Sequence, residues 1–266
     1  MNILPKISVI TISYNSKDTI ENTIQSVVSQ DYANKEYIVI DGGSTDGTTD
    51  IIRQYSSDIS YFVSEPDNGI SDAFNKGIRH ATGDLIVLIN SDDYLLPEAL
   101  KNVAQHYDTA TDIFCCNLIL WNDYSDEKRI IKPSTDFPTM PFFRRPAHQG
   151  AFITKALYER IGLYDTEIRY AMDLDFLMRA TRQQATFRHL DINVAVFRLG
   201  GATNESIFKK RKDYLAVVRK NGGSWLQAQL FYAFLVITQT TKKALRLTGI
   251  DWVRKIRYRS ASHLAP

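Results

Sequence analysis

The sequence predicts an α/β fold: a mostly parallel sheet flanked by helices, with a helical appendage at the C-terminus. Three observations carry this. Short β-branched runs alternate with helix-periodic segments through residues 7–100, the pattern of βαβ units. A polar cluster follows each of four predicted strands, namely 13–15, 41–46, 64–68 and 90–93, where parallel sheets bind ligands. The chain has 266 residues, 44% hydrophobic and 23% charged, enough for one large domain with an appendage and unlike a disordered composition.

Ile7–Ile12 is the first strand. A helix capped by Asn15, Ser16 or Asp18 runs to Gln30, with Ile20, Ile24 and Val27 on one face. Tyr37–Ile40 is the second strand, and its glycine-rich turn leads into a helix through Ile51, Ile52 and Tyr55. Ile59–Val63, a helix over 71–81 and the strand Leu85–Ile89 follow. Residues 111–120 and 128–132 read as strands around the turn Asn122–Asp126, and 133–147 as a loop. A helix over 154–161 ends at Gly162, another spans 172–182, and 188–198 is the last strand. From Phe208 the chain reads as helical, interrupted at Gly222 and Gly223.

Asn90-Ser-Asp-Asp93 places paired carboxylates at a strand end. Such a pair is costly unless a cation or ligand compensates it, and hard oxygen donors facing a diphosphate suit Mg²⁺ or Mn²⁺. The bland reading is a surface turn in which Asp93 caps the helix starting near Pro97. In Asp41-Gly-Gly-Ser-Thr-Asp-Gly47 the glycines admit a ligand to the backbone, and Asp41 can accept a hydrogen bond from a pyrimidine imide. A plain strand-to-helix turn is the alternative, and it is the better one for Asp46 as a cap.

Five motifs in order, Thr11–Asn15, Ile38–Thr48, Ser64–Gly77, Thr82–Ile86 and Asn90–Asp93, resemble family 2 glycosyltransferases, inverting enzymes of the GT-A fold. The Glu65–Ile70 segment resembles the subset that builds bacterial exopolysaccharide, capsule or lipopolysaccharide. The resemblance implies a GT-A-like domain over 1–205, with a nucleotide-binding half (1–100) and an acceptor half (101–205), and a basic, aromatic-rich tail over 206–266. It places Thr11 and Tyr14 at the nucleotide, Asp41 on the pyrimidine, Asn75 and Lys76 near the nucleotide and diphosphate, Asp92 on the ribose and Asp93 on the metal. Many family members carry Asp where this chain has Asn90.

In the acceptor half, Ala171–Arg179 resembles the family's helix-start segment, which puts Asp173 on the catalytic-base position, although Met172 replaces the usual Glu. An inverting transfer needs a base to take the acceptor hydroxyl proton. Asp175 reads instead as an i,i+4 partner of Arg179. His148 falls on a His-Gln pair that faces the site in the subset, and either binds the diphosphate or metal or serves as a structural hydrogen-bonder. Arg144 and Arg145 either steer a phosphate or belong to a solvated loop. Phe197–Thr203 resembles a glycine-containing loop that closes over the acceptor, a glycine hinge being the bland alternative. Trp121, Tyr124, Phe137, Phe142 and Phe143 are assigned to packing rather than to sugar stacking.

The implied partners are a nucleotide-sugar donor, UDP- or dTDP-linked, and a glycan acceptor, lipid-linked in many family members. A net charge of +2 carries no electrostatic signature of nucleic-acid binding. Cys115 and Cys116 are adjacent and apolar in context, with no disulfide framework, which fits a reducing cytosol. No stretch reaches the ~18 apolar residues that span a bilayer, and Ile7–Ile12 is too short for a signal peptide. The apolar segment from Trp225, followed by Lys242, Lys243, Arg246, Arg254, Lys255, Arg257 and Arg259, fits an interfacial helix on the inner face of the cytoplasmic membrane; packing on protein is the alternative. Rival functions are a catalytically weak glycan- or nucleotide-binding subunit, which Asn90 and Met172 keep open, and a nucleotidyltransferase, which Ser13–Asp18 matches poorly.

Overall fold

The computed structural model describes residues 4–122, 125–133, 147–199 and 206–247, the last six by backbone alone. In chain order the elements are β1 (Ile7–Ser13), α1 (Ile20–Val28), β2 (Lys35–Asp41), α2 (Thr48–Gln54), β3 (Tyr61–Ser64), α3 (Ile70–His80), β4 (Leu85–Asn90), β5 (Tyr94–Leu95) and α4 (Ala99–Ala104). They continue with β6 (Ile113–Asn122), β7 (Glu127–Ile131), β8 (Ala151–Thr154), α5 (Lys155–Ile161), α6 (Met172–Arg182), β9 (Phe187–Arg198), α7 (Arg211–Lys220) and α8 (Trp225–Leu247). Arg145 and Arg144, Tyr124, Phe137, Phe142, Phe143, the loop residues 200–203 and the cationic residues Arg254, Lys255, Arg257 and Arg259 lie outside the described residues.

One sheet runs β3-β2-β1-β4-β8-β6-β9-β5, with β7 paired to β6. β1, β2, β3 and β4 are parallel. β1 is apolar throughout apart from Ser8, Thr11 and Ser13, and all seven of its residues are buried, because helices cover both faces. One face carries the core that joins α3, α5 and α6, and the other the core around α1 and α4. Gly77 lets α3 lie close on the sheet: a Cβ there would sit 2.4 Å from Ile10 Cγ2. Thr154 caps α5 by accepting from Leu157 N–H (3.2 Å), and the helix stops at Gly162 with φ +83°.

Two strands depart from the expected pattern. β5 and β8 have two and four residues, too short for a period to register in sequence. β8 matters more. It pairs antiparallel to both β4 and β6, so β6 and its parallel neighbour β9 run in the same direction as β4. The carboxyl ends of β4 and β9 therefore share one edge. Cys115 and Cys116 are free and buried in β6, and burial pushes the Cys115 thiol up to about 12, so it is inert.

The opposite edge is closed by Glu36. Burial opposes its charge, but Lys6 Nζ (2.8 Å), Ser8 Oγ, Thr82 Oγ1 (2.6 Å) and Thr82 N–H (2.5 Å) outweigh that and bring its carboxyl down to about 2. An unfolded-chain Glu titrates near 4.5, so between those values the unfolded state binds more protons and stability rises with pH. Urea denaturation should show this contribution complete above pH 4.5 and fading as pH falls toward 2. Glu36→Gln should cost about 2–4 kcal/mol at neutral pH and flatten that window.

Candidate active site

Four loops meet at the carboxyl ends of β1 to β4. Gly42 N–H donates to Ser13 O (2.8 Å), Asn15 N–H to Ser44 Oγ (2.8 Å), Lys17 N–H to Asp46 (3.0 Å), and the Ser16 and Ser91 hydroxyls pair at 2.7 Å. Thr23 Oγ1 reaches from α1 to the carbonyls of Ser91 (2.9 Å) and Asp93 (2.7 Å). Asp46 accepts from Thr48 at the start of α2, as its capping role requires.

Several residues expected at the ligand turn inward instead. Thr11 is fully buried and accepts from Tyr37 Oη at 3.1 Å. Asp41 is also fully buried and takes five hydrogen bonds, from Ser13, Gly43, Ser44 N–H, Ser44 Oγ and Ser64. Burial opposes its charge, but the donors from Ser44, Ser64 and Ser13 prevail and hold it below the usual carboxylate range. Its lone pairs are spent tying the ends of β1, β2 and β3 together. Asn75 forms a two-point clamp with Tyr164, donating to its carbonyl (2.8 Å) and accepting from its N–H (3.0 Å). Lys76 points at Glu65 (2.8 Å) and Pro66 O (3.1 Å), bracing the loop after β3.

The two adjacent aspartates separate sharply. Asp93 is fully buried and accepts from Asn90 Nδ2 (3.0 Å), Gln149 Nε2 (2.7 Å) and Arg198 N–H (3.0 Å). Burial and the neighbouring Asp92 charge push its carboxyl well above the usual range, against those three donors. Both oxygens accept hydrogen bonds inside the protein, so Asp93, the expected metal ligand, also ties three segments together. Asp92 is half-buried at the same edge. One carboxylate at an open edge fits a Mg²⁺ or Mn²⁺ that draws its other ligands from phosphate and water. Among the described residues no group of three metal-ligating side chains occurs.

Tyr14 stands 66% exposed at the end of β1. Asp173, half-buried, lies in the first turn of α6. The N-termini of α3 and α6 meet where Ser71 Oγ contacts Ile168 O (3.0 Å) and Met172 Sδ (3.1 Å), so Asp173 joins the edge that carries Asp92. Arg179 Nε donates to Asp175 at 2.8 Å, the expected i,i+4 pair, and the guanidinium also donates to the carbonyls of Ile161 and Leu163 at the end of α5. His148 opens a 3-10 turn, its ring edge-on to Phe74 at 5.4 Å.

The family model for glycosyl transferase family 2 matches residues 8–168. The chain belongs to that family. It is 33% identical over 190 residues to an uncharacterized glycosyltransferase of Mycobacterium tuberculosis, covering 68% of this chain and 70% of the relative. It is 41% identical over 95 residues to TuaG of Bacillus subtilis, named as a teichuronic acid biosynthesis glycosyltransferase, covering 35% of this chain and 38% of that one. The fold resembles Staphylococcus aureus TarS in complex with UDP-GlcNAc (TM-score 0.66, 20% identity, 87% of this chain, 71% of that one). It also resembles the mannosyltransferase PcManGT of Pyrobaculum calidifontis in complex with GDP-Man and Mn²⁺ (TM-score 0.65, 20% identity, 87% and 70%). These likenesses establish the GT-A fold.

Two residues of this family 2 site escape sequence reasoning. Gln149 reads as the neighbour of a more conspicuous histidine, yet it is Gln149 that reaches Asp93. Arg198 ends β9 with its guanidinium 4.9 Å from the Trp121 ring and 5.8 Å from that of Tyr94. The segment that holds it, Phe197–Thr203, stands out in sequence for its glycines rather than for this arginine, and β8 is what brings that strand end to the site.

Gln149→Leu should leave the buried Asp93 carboxylate short of a donor. The expected loss is about 2–4 kcal/mol, several degrees in calorimetry, with Asn90→Ala showing a smaller loss of the same kind.

Proposed function

We propose that this family 2 enzyme transfers a sugar with inversion from a nucleotide-sugar donor, UDP- or dTDP-linked, to a lipid-linked glycan acceptor in surface polysaccharide synthesis. The observation that carries the reading is the shared edge on which a half-buried carboxylate (Asp92) and an acid in the first turn of α6 (Asp173) are held by separate, braced elements. The name of TuaG supports the polysaccharide setting, and the UDP-GlcNAc complex of TarS supports a nucleotide-sugar donor.

In this reading the donor lies across the ends of β1 to β4 with its base beside exposed Tyr14. Asp92 would hold a divalent cation at this edge; the family resemblance alone would put Asp92 on the ribose and the metal on Asp93. A cation bound there would stabilise the charge that develops on the leaving diphosphate. Asp173 accepts the proton of the acceptor hydroxyl as its oxygen attacks the anomeric carbon, and the bond from that carbon to the diphosphate oxygen breaks. Arg198, packed against Tyr94 and Trp121, offers a fixed cation to an anionic group at the same edge.

A lipid-linked acceptor calls for a membrane-facing surface. α8 buries Ala228 and Tyr232 and exposes Trp225, Leu226, Leu230, Phe234 and Ile237. Lys242, Lys243 and Arg246 follow in the sequence, an order suited to anionic lipid. Among the described residues no helix is long and apolar enough to cross a membrane.

Thermal unfolding with UDP, GDP, dTDP and CMP, with and without Mn²⁺, tests the donor site. A nucleotide at about 100 times its dissociation constant adds roughly 2.7 kcal/mol. Stabilisation should require metal and vanish in Asp92→Ala. Asp173→Asn should keep that stabilisation while turnover falls by about 10²- to 10⁴-fold. No shift with any nucleotide would overturn the proposal. In flotation assays the full chain should bind vesicles containing phosphatidylglycerol more than neutral ones, and Leu230→Glu with Ile237→Glu should abolish the binding; equal recovery with both vesicle types would remove the membrane surface.

A further inference from the structure

Asp41 is sealed inside a five-bond knot, which leaves open what reads the nucleobase. Gly42, the next residue, lies half-buried at the end of β2 between the end of β1 and the loop after β3. A Cβ on Gly42 would stand 2.5 Å from Asp67 Oδ2, 3.3 Å from its Cγ and 3.4 Å from Tyr14 Cδ2. The Asp67 carboxylate therefore occupies the volume that a side chain at position 42 would fill, next to the exposed Tyr14 ring. We infer that Asp67 reads the nucleobase edge of the donor, selecting bases that present a ring N–H (uracil, thymine or guanine) over cytosine and adenine.

The two oxygens of Asp67 have different duties. Oδ1 accepts Gly69 N–H at 2.7 Å, which fixes the rotamer. Oδ2 faces Gly42 and Tyr14 and accepts no hydrogen bond from the described residues. An ionised carboxylate only accepts. It matches the imide N–H of uracil or thymine and the N1–H and amino group of guanine, and it repels the ring-nitrogen lone pair that cytosine and adenine show at the same edge.

The carboxylate is also held in place before any ligand arrives. Ser64 Oγ donates to Asp41 (2.7 Å), Glu65 N–H to Asp41 O (3.0 Å), and Lys76 grips Glu65 and Pro66 O. A loop braced at three successive residues loses little freedom on binding. The braces come from residues the resemblance had put on the nucleotide; they act one step removed, by positioning Asp67.

The inference rests on the nucleotide-donor reading, and substitution can separate the two. In Asp67→Asn, Gly69 N–H retains the amide oxygen at the Oδ1 position, so the amide nitrogen takes the place of Oδ2 and becomes a donor. The Gly42→Ala methyl would push the Asp67 carboxylate away without altering it, and Gly42 does not have the positive φ that would strain an alanine. Titration calorimetry with UDP, GDP, CDP and ADP in Mn²⁺ should find UDP or GDP bound about tenfold or more tighter than CDP in the wild type. Asp67→Asn should lower the UDP-to-CDP affinity ratio by roughly tenfold and favour CDP in absolute terms, which a merely structural asparagine would not do. Gly42→Ala should weaken UDP toward the CDP value. An unchanged ratio in Asp67→Asn, or a wild type that binds CDP as tightly as UDP, would overturn the role of Asp67 and leave the donor reading standing. A wild type that binds none of the four nucleotides would remove both.

Discussion

Everything at the ligand edge hangs on a buried carboxylate. Asp93 accepts from the end of β4 through Asn90, from the turn before β8 through Gln149, and from the end of β9 through the Arg198 backbone. A buried carboxyl is stable only while its hydrogen-bond partners stay in place, so the three segments are forced into one arrangement. With Asp93 facing inward, its neighbour Asp92 is left half-exposed at the rim. The paired acids thus divide into a buried anchor and a half-exposed group at the rim.

The two halves of the domain are joined with the same economy of polar groups. Asn75 and Ser71 on α3 fasten the chain at Tyr164 and Ile168 just before α6, and Arg179 ties α6 to the end of α5. Asn221 on the far side donates to Asp175 at 2.8 Å and carries the linkage to the end of α7. Asp173 is therefore positioned by a chain of short, mostly buried bonds that begins on α3. A catalytic carboxylate held on a braced helix keeps its distance to the donor better than one held on a loop.

A glycosyltransferase must hold a flexible, highly charged donor while leaving the acceptor side open. Here the ends of β1 to β3 are stiffened by internal contacts: Asp41 and Thr11 are interior groups and Lys76 braces the loop after β3. The acceptor side offers aromatic and cationic groups at the end of β9, and α8 offers an apolar surface beyond it.

The parallel core was legible in the sequence because its signals are local. The β-branched runs of β1, β2 and β4, the amphipathic stripe Ile20-Ile24-Val27, the Thr154 and Gly162 helix boundaries and the Asp175–Arg179 pair all declare themselves within a few residues. The order of the five motifs was likewise sufficient to indicate the family. Which carboxylate is buried and which stays at the rim was decided only by tertiary structure. Asp92 and Asp93 are adjacent and chemically identical, and Asp41 and Asp67 are both strand-end acids; what separates them is burial and donors from residues far along the chain, Gln149 and Arg198 for Asp93, Ser64 for Asp41. The four-residue strand β8 is the physical reason. Too short to leave a periodic trace, it reverses direction between β4 and β6, and by doing so brings the end of β9 to the edge where β1 to β4 end.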